Sequence, residues 1–222
     1  MGNFLLVTGK TPEGDPDGVS PDMARTIAAR LGVPCQLVPY ARPSDLADDA
    51  GKDKWDIGNI GAEPQRAEKI AFTAAYCEIE ATYLVPPGSP IASMEQVDVA
   101  GNRIYSGAGA AYTLWLERNI KHAKLVLVPG GGGAAFQKFL DDKAEVYGGL
   151  RPGLITDIEK IPGARILDGQ FMAVQQAIGT ARSNAAAAAW LAAFVEEAKA
   201  SGLVASFIAK HKVRGLSVAP AA

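Results

Sequence analysis

An α/β fold follows from three features of the sequence. Short apolar runs alternate with helix-length stretches beyond residue 100, a capped helix opens at Ser20-Pro21-Asp22, and a stiff proline-rich break occupies residues 86–90. At 222 residues the chain is long enough to bury a sizeable core, either as one domain or as two small lobes.

The elements are expected in this order. Ser20 caps a first helix, with Pro21 at its first position and Asp22 in its first turn. Met23, Ile27 and Leu31 recur on one face, and Gly32 stops it. Residues 33–40 read as a strand, 43–50 as a short polar helix and 55–60 as a second, buried strand. Residues 79–85 are extended and β-rich, and they run into Pro86-Pro87-Gly88-Ser89-Pro90, which continues neither a helix nor a central strand. Beyond that break, strands at 103–106, 125–128, 145–148 and 165–167 alternate with helices at 110–120, 134–143 and 152–160, the pattern of parallel βαβ units. Residues 171–178 form another extended run. Ser183-Asn184 then opens an alanine-rich helix whose buried stripe is Trp190, Leu191, Phe194, Val195 and Ala198, closed by Gly202. A last helix, 203–211, precedes a tail expected to fray.

Composition removes several function classes. Lys plus Arg number 22 against 24 Asp plus Glu, so the field of the molecule attracts neither nucleic acid nor an anionic membrane surface. No apolar run reaches the roughly 18 to 20 residues of a membrane span. The opening Met1-Gly2-Asn3 lacks the basic-then-apolar pattern of a secretory signal and reads as a mature chain. Cys35 and Cys77 with His122 and His211 have no metal-ligand spacing, and two buried thiols are the favoured reading of the cysteines. No metal and no cofactor are expected.

Gly107-Ala108-Gly109-Ala110-Ala111 follows a strand and opens a helix, the context of a dinucleotide fingerprint. Tyr112 stands where that fingerprint needs a small residue, and the strand 125–128 runs into Pro129 with no acid at its end. What survives is a helix N-terminus whose free amides attract an anion. Residues 130–133, four glycines, read as flexible instead. Ser106 lacks the Gly-x-Ser-x-Gly frame, and the chain has no His-Glu-x-x-His and no P-loop, so no catalytic residue is nominated. Asp141-Asp142, Glu196-Glu197 and the cluster Arg118, Lys121, His122 and Lys124 read as solvated surface.

Arg66, on a short polar loop between two apolar segments, is placed to hold a carboxylate through parallel hydrogen bonds; the alternative is an arginine that caps a helix end or pairs with Glu63 or Glu68 on the surface. Phe4, Tyr40, Tyr76, Tyr105 and Tyr147 fall at or near strand ends, where open α/β sheets place ligands.

Several of these segments together resemble the periplasmic solute-binding proteins of ABC transporters, of the family-3 type that binds polar amino acids and related carboxylates. Residues 17–24, Asp-Gly-Val-Ser-Pro-Asp-Met-Ala, are similar to the family's entry to its first helix, and Trp55-Asp56-Ile57-Gly58 to its Trp-Asp strand. The most specific likeness is the block 66–76, from Arg66 through Phe72-Thr73 to Tyr76. Residues 195–202 resemble the family's C-terminal helix.

The resemblance implies a type II periplasmic-binding-protein fold, two α/β lobes joined by a two-strand hinge at 79–85 and 171–178. Lobe 1 would be 1–84 plus 176–222 and lobe 2 would be 85–175. It further implies a small carboxylate ligand in the cleft between them. Arg66 would clasp the carboxylate, helped by amides at Gly109, Ala110 and Ala111, with Gly61 and Ala62 lining the same side. Phe4, Tyr40, Asn59 and Tyr147 complete the expected lining. The implied partners are that ligand and an ABC permease in the inner membrane, for a periplasmic monomer. A cleft enzyme of the cyclohexadienyl dehydratase type, with Glu63 as the nearby acid, and a ligand-sensing module are the alternatives. Three departures stand out. Leu150 occupies the strand end where amino-acid binders carry an acid for the ammonium. Ala110 and Ala111 replace hydroxyl residues. Most of the family's first strand is absent before Asn3.

Overall fold

The computed structural model describes residues 6–213 and 215–222. It divides into two compact units, one formed by Met1–Glu78 with Gln175–Ala222 and the other by Ile79–Val174. In chain order the elements are β1 (Gly9–Lys10), β2 (Pro16–Asp17), α1 (Val19–Leu31), α2 (Pro43–Asp48), β3 (Ile57–Gly61), α3 (Pro64–Ala67) and β4 (Ile70–Val85). They continue with β5 (Arg103–Gly107), α4 (Ala111–Asn119), β6 (Lys124–Val128), α5 (Gly131–Asp141), β7 (Val146–Leu150), α6 (Arg151–Ile158), β8 (Arg165–Ile166) and β9 (Met172–Ala181). The last are α7 (Ala185–Ala200), α8 (Leu203–Lys210) and β10 (Leu216–Val218). Two strands, β4 and β9, carry the chain from one unit to the other.

The first unit is assembled from both ends of the chain. Its β3 pairs antiparallel with the far half of β9, from Ile57 opposite Thr180 to Gly61 opposite Gln176. Helix α1 begins at Val19 behind Gly18, and Ser20 lies inside the helix rather than capping it. The Ser20 hydroxyl instead meets the Tyr76 hydroxyl at 2.9 Å in the core. Gly18 is required there: at φ 145° a Cβ would stand 2.4 Å from the Leu6 carbonyl oxygen. Gly32 closes the helix as expected, in the left-handed conformation. Val19, Met23 and Ile27 from α1, Ile60 and Ile70 from the strands, and Leu191, Phe194 and Val195 from α7 are all buried.

Three further expectations fail here. Residues 33–40 form no strand. Pro34 and Pro39 withdraw two ladder donors, and Val33 and Val38 are left 52% and 46% exposed. Cys35 is therefore exposed, while Cys77 is buried, and both are free thiols. The tail does not fray, because β10 pairs with β4 and the Ala219 amide donates to the Tyr76 carbonyl at 3.2 Å.

The second unit is one continuous segment built around a mixed sheet. β5 runs parallel to β6 and β7, and the far half of β4 pairs antiparallel with β7, from Ala81 opposite Leu150 to Leu84 opposite Tyr147. Strand alternation sorts the core onto two faces. Leu84, Tyr105 and Tyr147 pack with Phe136 and Phe139 of α5 and Leu154 of α6. Their neighbours Tyr83, Val85, Ile104 and Val146 pack with Leu116 of α4. Gly107 permits the closest approach in this unit, since a Cβ there would lie 2.8 Å from the Gly131 carbonyl carbon. The run of glycines at 130–133 is not loose chain but the N-cap and first turn of α5.

Candidate functional site

In the first unit, the strand-to-helix turn after β3 sets the position of Arg66. Glu63 is extended, Pro64 starts α3, and the single helical turn folds Arg66 back beneath β3. Its residue is 6% exposed, and Nη1 donates to the Gly61 carbonyl oxygen at 2.7 Å. Burial pulls the guanidinium down to about 10, against the opposing pull of the Glu63 charge, so it stays protonated at neutral pH. The hydrogen-bond partner seen at Nη1 is a backbone carbonyl rather than an acidic side chain. That geometry holds one edge of the guanidinium against Gly61.

Gly61 is buried, and the half-buried Ala62 donates its amide to the Gln175 carbonyl at 2.7 Å. Asn59, two residues earlier on β3 and on the same face as Gly61, has a buried Oδ1 with no hydrogen-bond partner among the described residues. An orphaned buried acceptor next to a candidate ligand site invites a donor from outside the protein. Beside it, Gln175 Nε2 donates to Glu78 Oε1 at 2.9 Å, joining the two residues at which the chain leaves and re-enters this unit. Tyr40 lies in the unpaired 33–40 segment rather than at a strand end, and its hydroxyl donates to Asp49 at 3.1 Å. Phe4 lies outside the described residues.

In the second unit the start of α4 has no side-chain cap. Ala110 is the N-cap with no side chain to cap it, Gly109 adopts φ 78°, and Ala111 is buried. The turn is held from behind: the Ala108 amide donates to the Val128 carbonyl at 3.0 Å, and Thr113 Oγ1 to the Gly107 carbonyl at 2.5 Å. Tyr147 is 3% exposed, with its ring against Phe136 and Phe139 and its hydroxyl donating to the Gly132 carbonyl at 2.9 Å. Burial pushes that phenol well above the usual tyrosine range, so it acts as a neutral hydroxyl. Leu150 ends β7 with a half-buried aliphatic side chain, and its neighbour Arg151 bonds Glu80.

Folding also brings His211 to Asp17 and Asp22, far from it in sequence, so that their ligand atoms lie within 4.8 Å of one another. Side chains of the protein already occupy these carboxylates: Lys210 Nζ is 2.7 Å and His211 Nε2 2.8 Å from Asp22, and Arg25 approaches both acids. The cluster ties α8 to the start of α1 as an ion-pair network.

Comparisons with known proteins accord with this architecture. The sequence profile of the bacterial extracellular solute-binding proteins, family 3, matches residues 7–213. A cyclohexadienyl dehydratase of Pseudomonas aeruginosa is 26% identical over 149 residues, a match that spans 65% of this chain and 55% of the enzyme. Among solved structures, a putative binding component of an ABC transporter from Wolinella succinogenes, complexed with lysine, superposes with a TM-score of 0.74 at 21% identity, over 90% of this chain and 88% of that one. A histidine kinase sensor domain with similarity to periplasmic binding proteins gives 0.77 at 16% identity, over 94% and 91%. At such identities these structures speak for the fold, a two-lobed type II periplasmic binding protein. No helix among the described residues is long and apolar enough to cross a membrane. With its profile matched from residue 7 to residue 213, this chain belongs to the bacterial extracellular solute-binding proteins, family 3.

Proposed function

We propose that this protein captures a small solute bearing a carboxylate, with Arg66 as the anchor, and hands it to an ABC permease of the inner membrane as a monomer in the periplasm. One observation carries the reading: a permanently charged guanidinium is buried on a short turn, in a setting of low dielectric where a bidentate carboxylate is bound far more strongly than in water. Gly61 and Ala62 are assigned to the lining beside it, and the orphaned Asn59 Oδ1 is assigned a donor group on the ligand. On the second unit the amides at Gly109, Ala110 and Ala111 are assigned the same anion chemistry. Leu150 offers nothing to an ammonium group, which favours an acid with an uncharged far end over an α-amino acid.

Calorimetric titration with lysine, glutamine, aromatic acids and dicarboxylates tests the proposal. At least one carboxylate should bind the wild type, and Arg66→Ala should lose it while retaining the native circular dichroism spectrum. Unchanged affinity in Arg66→Ala would sink the assignment.

Binding is preferred to catalysis because the acid beside the anchor, Glu63, faces the guanidinium, and β7 ends in Leu150 rather than a proton donor. The likeness to the Pseudomonas dehydratase keeps a second reading in view. Incubation with a cyclohexadienyl acid, followed by the ultraviolet absorbance of an aromatic product, separates the two; turnover abolished by Glu63→Gln would favour the enzyme.

A further inference from the structure

The proline-rich break at 86–90 has no part in the Arg66 site, yet its first residue walls a cavity. Pro86, Phe139 and Leu140 of α5, Lys143 and Ala144 just beyond that helix, and Ile161 enclose about 180 Å³, open to solvent on one side. All six residues belong to the second unit. Phe139 and Ala144 are buried, while Pro86, Leu140 and Ile161 are half-buried.

The backbone holds these walls in place. The Lys143 and Ala144 amides donate to the Leu140 and Phe139 carbonyls, both at 3.1 Å, and the Ile161 amide donates to the Ile158 carbonyl at 3.0 Å. Pro86 has a fixed φ and follows directly on Val85, which the β4–β8 ladder pins opposite Arg165. Pinned apolar walls resist collapse and offer water few hydrogen bonds. A cavity of about 150 Å³ with such a lining accepts benzene, so this one has room for a single ring or a branched alkyl group.

Lys143 adds a charge to this apolar lining. It adopts φ 46°, the left-handed conformation, at the position after α5 where glycine is the usual residue. The side chain that stands there instead ends in an ammonium group. The acids next to it in sequence are engaged elsewhere: Asp142 by Lys138 at 2.7 Å and Tyr105 at 2.5 Å, Glu145 by Arg103 at 2.8 Å, and Asp141 by Gln137 at 2.8 Å. Lys160, beside Ile161, is paired with Asp157 at 2.8 Å. Among the described residues Lys143 Nζ has no ion pair.

We propose that this cavity is a second ligand site, contained in the second unit and independent of Arg66, for a small apolar carboxylic acid. An aromatic or branched aliphatic body fills the space between Phe139, Leu140 and Ile161, and the carboxylate meets the Lys143 ammonium at the rim. Apolar burial supplies most of the affinity, and the exposed charge selects acids over neutral molecules of the same shape.

Sodium benzoate, benzyl alcohol and sodium acetate, titrated separately into full-length protein with labelled methyl groups, test the site. Benzoate should shift the methyl resonances of Leu140, Ala144 and Ile161, and its ring protons should show nuclear Overhauser contacts to them. Benzyl alcohol should reach the same methyls with an affinity about threefold lower, the loss of one exposed charge interaction, and acetate should leave them unmoved. Lys143→Gln, which keeps most of the stem, should bring benzoate down to the affinity of benzyl alcohol. Arg66→Ala should change none of these responses. Ala144→Leu, chosen to fill the cavity, should abolish them; if that variant does not fold, the ring-to-methyl contacts in the wild type decide the point. No ring contact to these methyls, unchanged benzoate affinity in Lys143→Gln, acetate shifting the methyls as benzoate does, or a benzoate response lost in Arg66→Ala would each overturn the proposal.

Discussion

The two units solve the problem of presenting polar chemistry in opposite ways. The first buries charge: Arg66 on the turn after β3, held by the nearby Gly61 carbonyl, and Asp22 between Lys210 and His211, which are distant in sequence. The second buries hydroxyls and bare amides, with Tyr112, Tyr147, Ser106 and Thr113 in its interior and helix starts made of glycine and alanine. Charge binds strongly but costs desolvation and must be framed. Neutral donors cost less and need only the precision of a rigid sheet, which the close packing of β5 against α5 supplies.

Arg66→Ala should do the greatest damage to function and little to folding, a fall in carboxylate affinity of about a hundredfold or more by calorimetry. Arg66→Lys keeps the charge and loses the fork, so an intermediate affinity would show that bidentate geometry matters as well as charge. The counterpart on the second unit is Gly107→Ala. Its new methyl would press on the backbone of Gly131 and Gly132 at 2.8 to 2.9 Å, and chemical denaturation should report a loss of about 3 kcal/mol. A loss under about 1 kcal/mol would mean that the contact yields easily.

Asp22→Asn probes the charged core of the first unit. Burial pushes the Asp22 carboxyl up, but hydrogen bonds and charge from Lys210 and His211 outweigh it, and the net shift is downward. A depressed folded value means stability that is present above the ordinary carboxylate range and is lost as pH falls through the folded value. The wild type should therefore lose stability on acidification below about pH 4, and Asp22→Asn, weaker at pH 7 by about 2 kcal/mol, should show a shallower fall. Parallel acid profiles would exclude this role. The smallest effect belongs to Glu197→Gln, which breaks a surface pair with Arg30: the melting temperature should move by about 1 °C or less at physiological salt.

The second unit was the more legible of the two in the sequence. Its strands and helices are local events, so the alternation from Arg103 to Ile166 marks each element to within a few residues. The first unit depends on residues more than a hundred positions apart, and most of the misreadings fall there, the glycines at 130–133 being the exception. Ser20 has the identity of a cap, yet Tyr76 claims its hydroxyl. Residues 33–40 have strand composition and no ladder, and 216–218 have tail composition and a place beside β4. Arg66 was legible as a candidate because arginine on a polar turn is a strong chemical signal, whereas its bond to the Gly61 carbonyl was not.

The two crossings of the chain, at 78–79 and at 174–175, also fix an order of events during synthesis. Residues 79–174 are a closed set of partners and are complete while the last 48 residues, 175–222, are still to be added. The first unit cannot close then, because β3 awaits β9, Tyr76 awaits Ala219 and Asp22 awaits Lys210. Residues 6–78 thus leave the ribosome before 79–174 yet become protease-resistant after them, and pulse proteolysis of stalled nascent chains should show 79–174 protected before the stretch that precedes it.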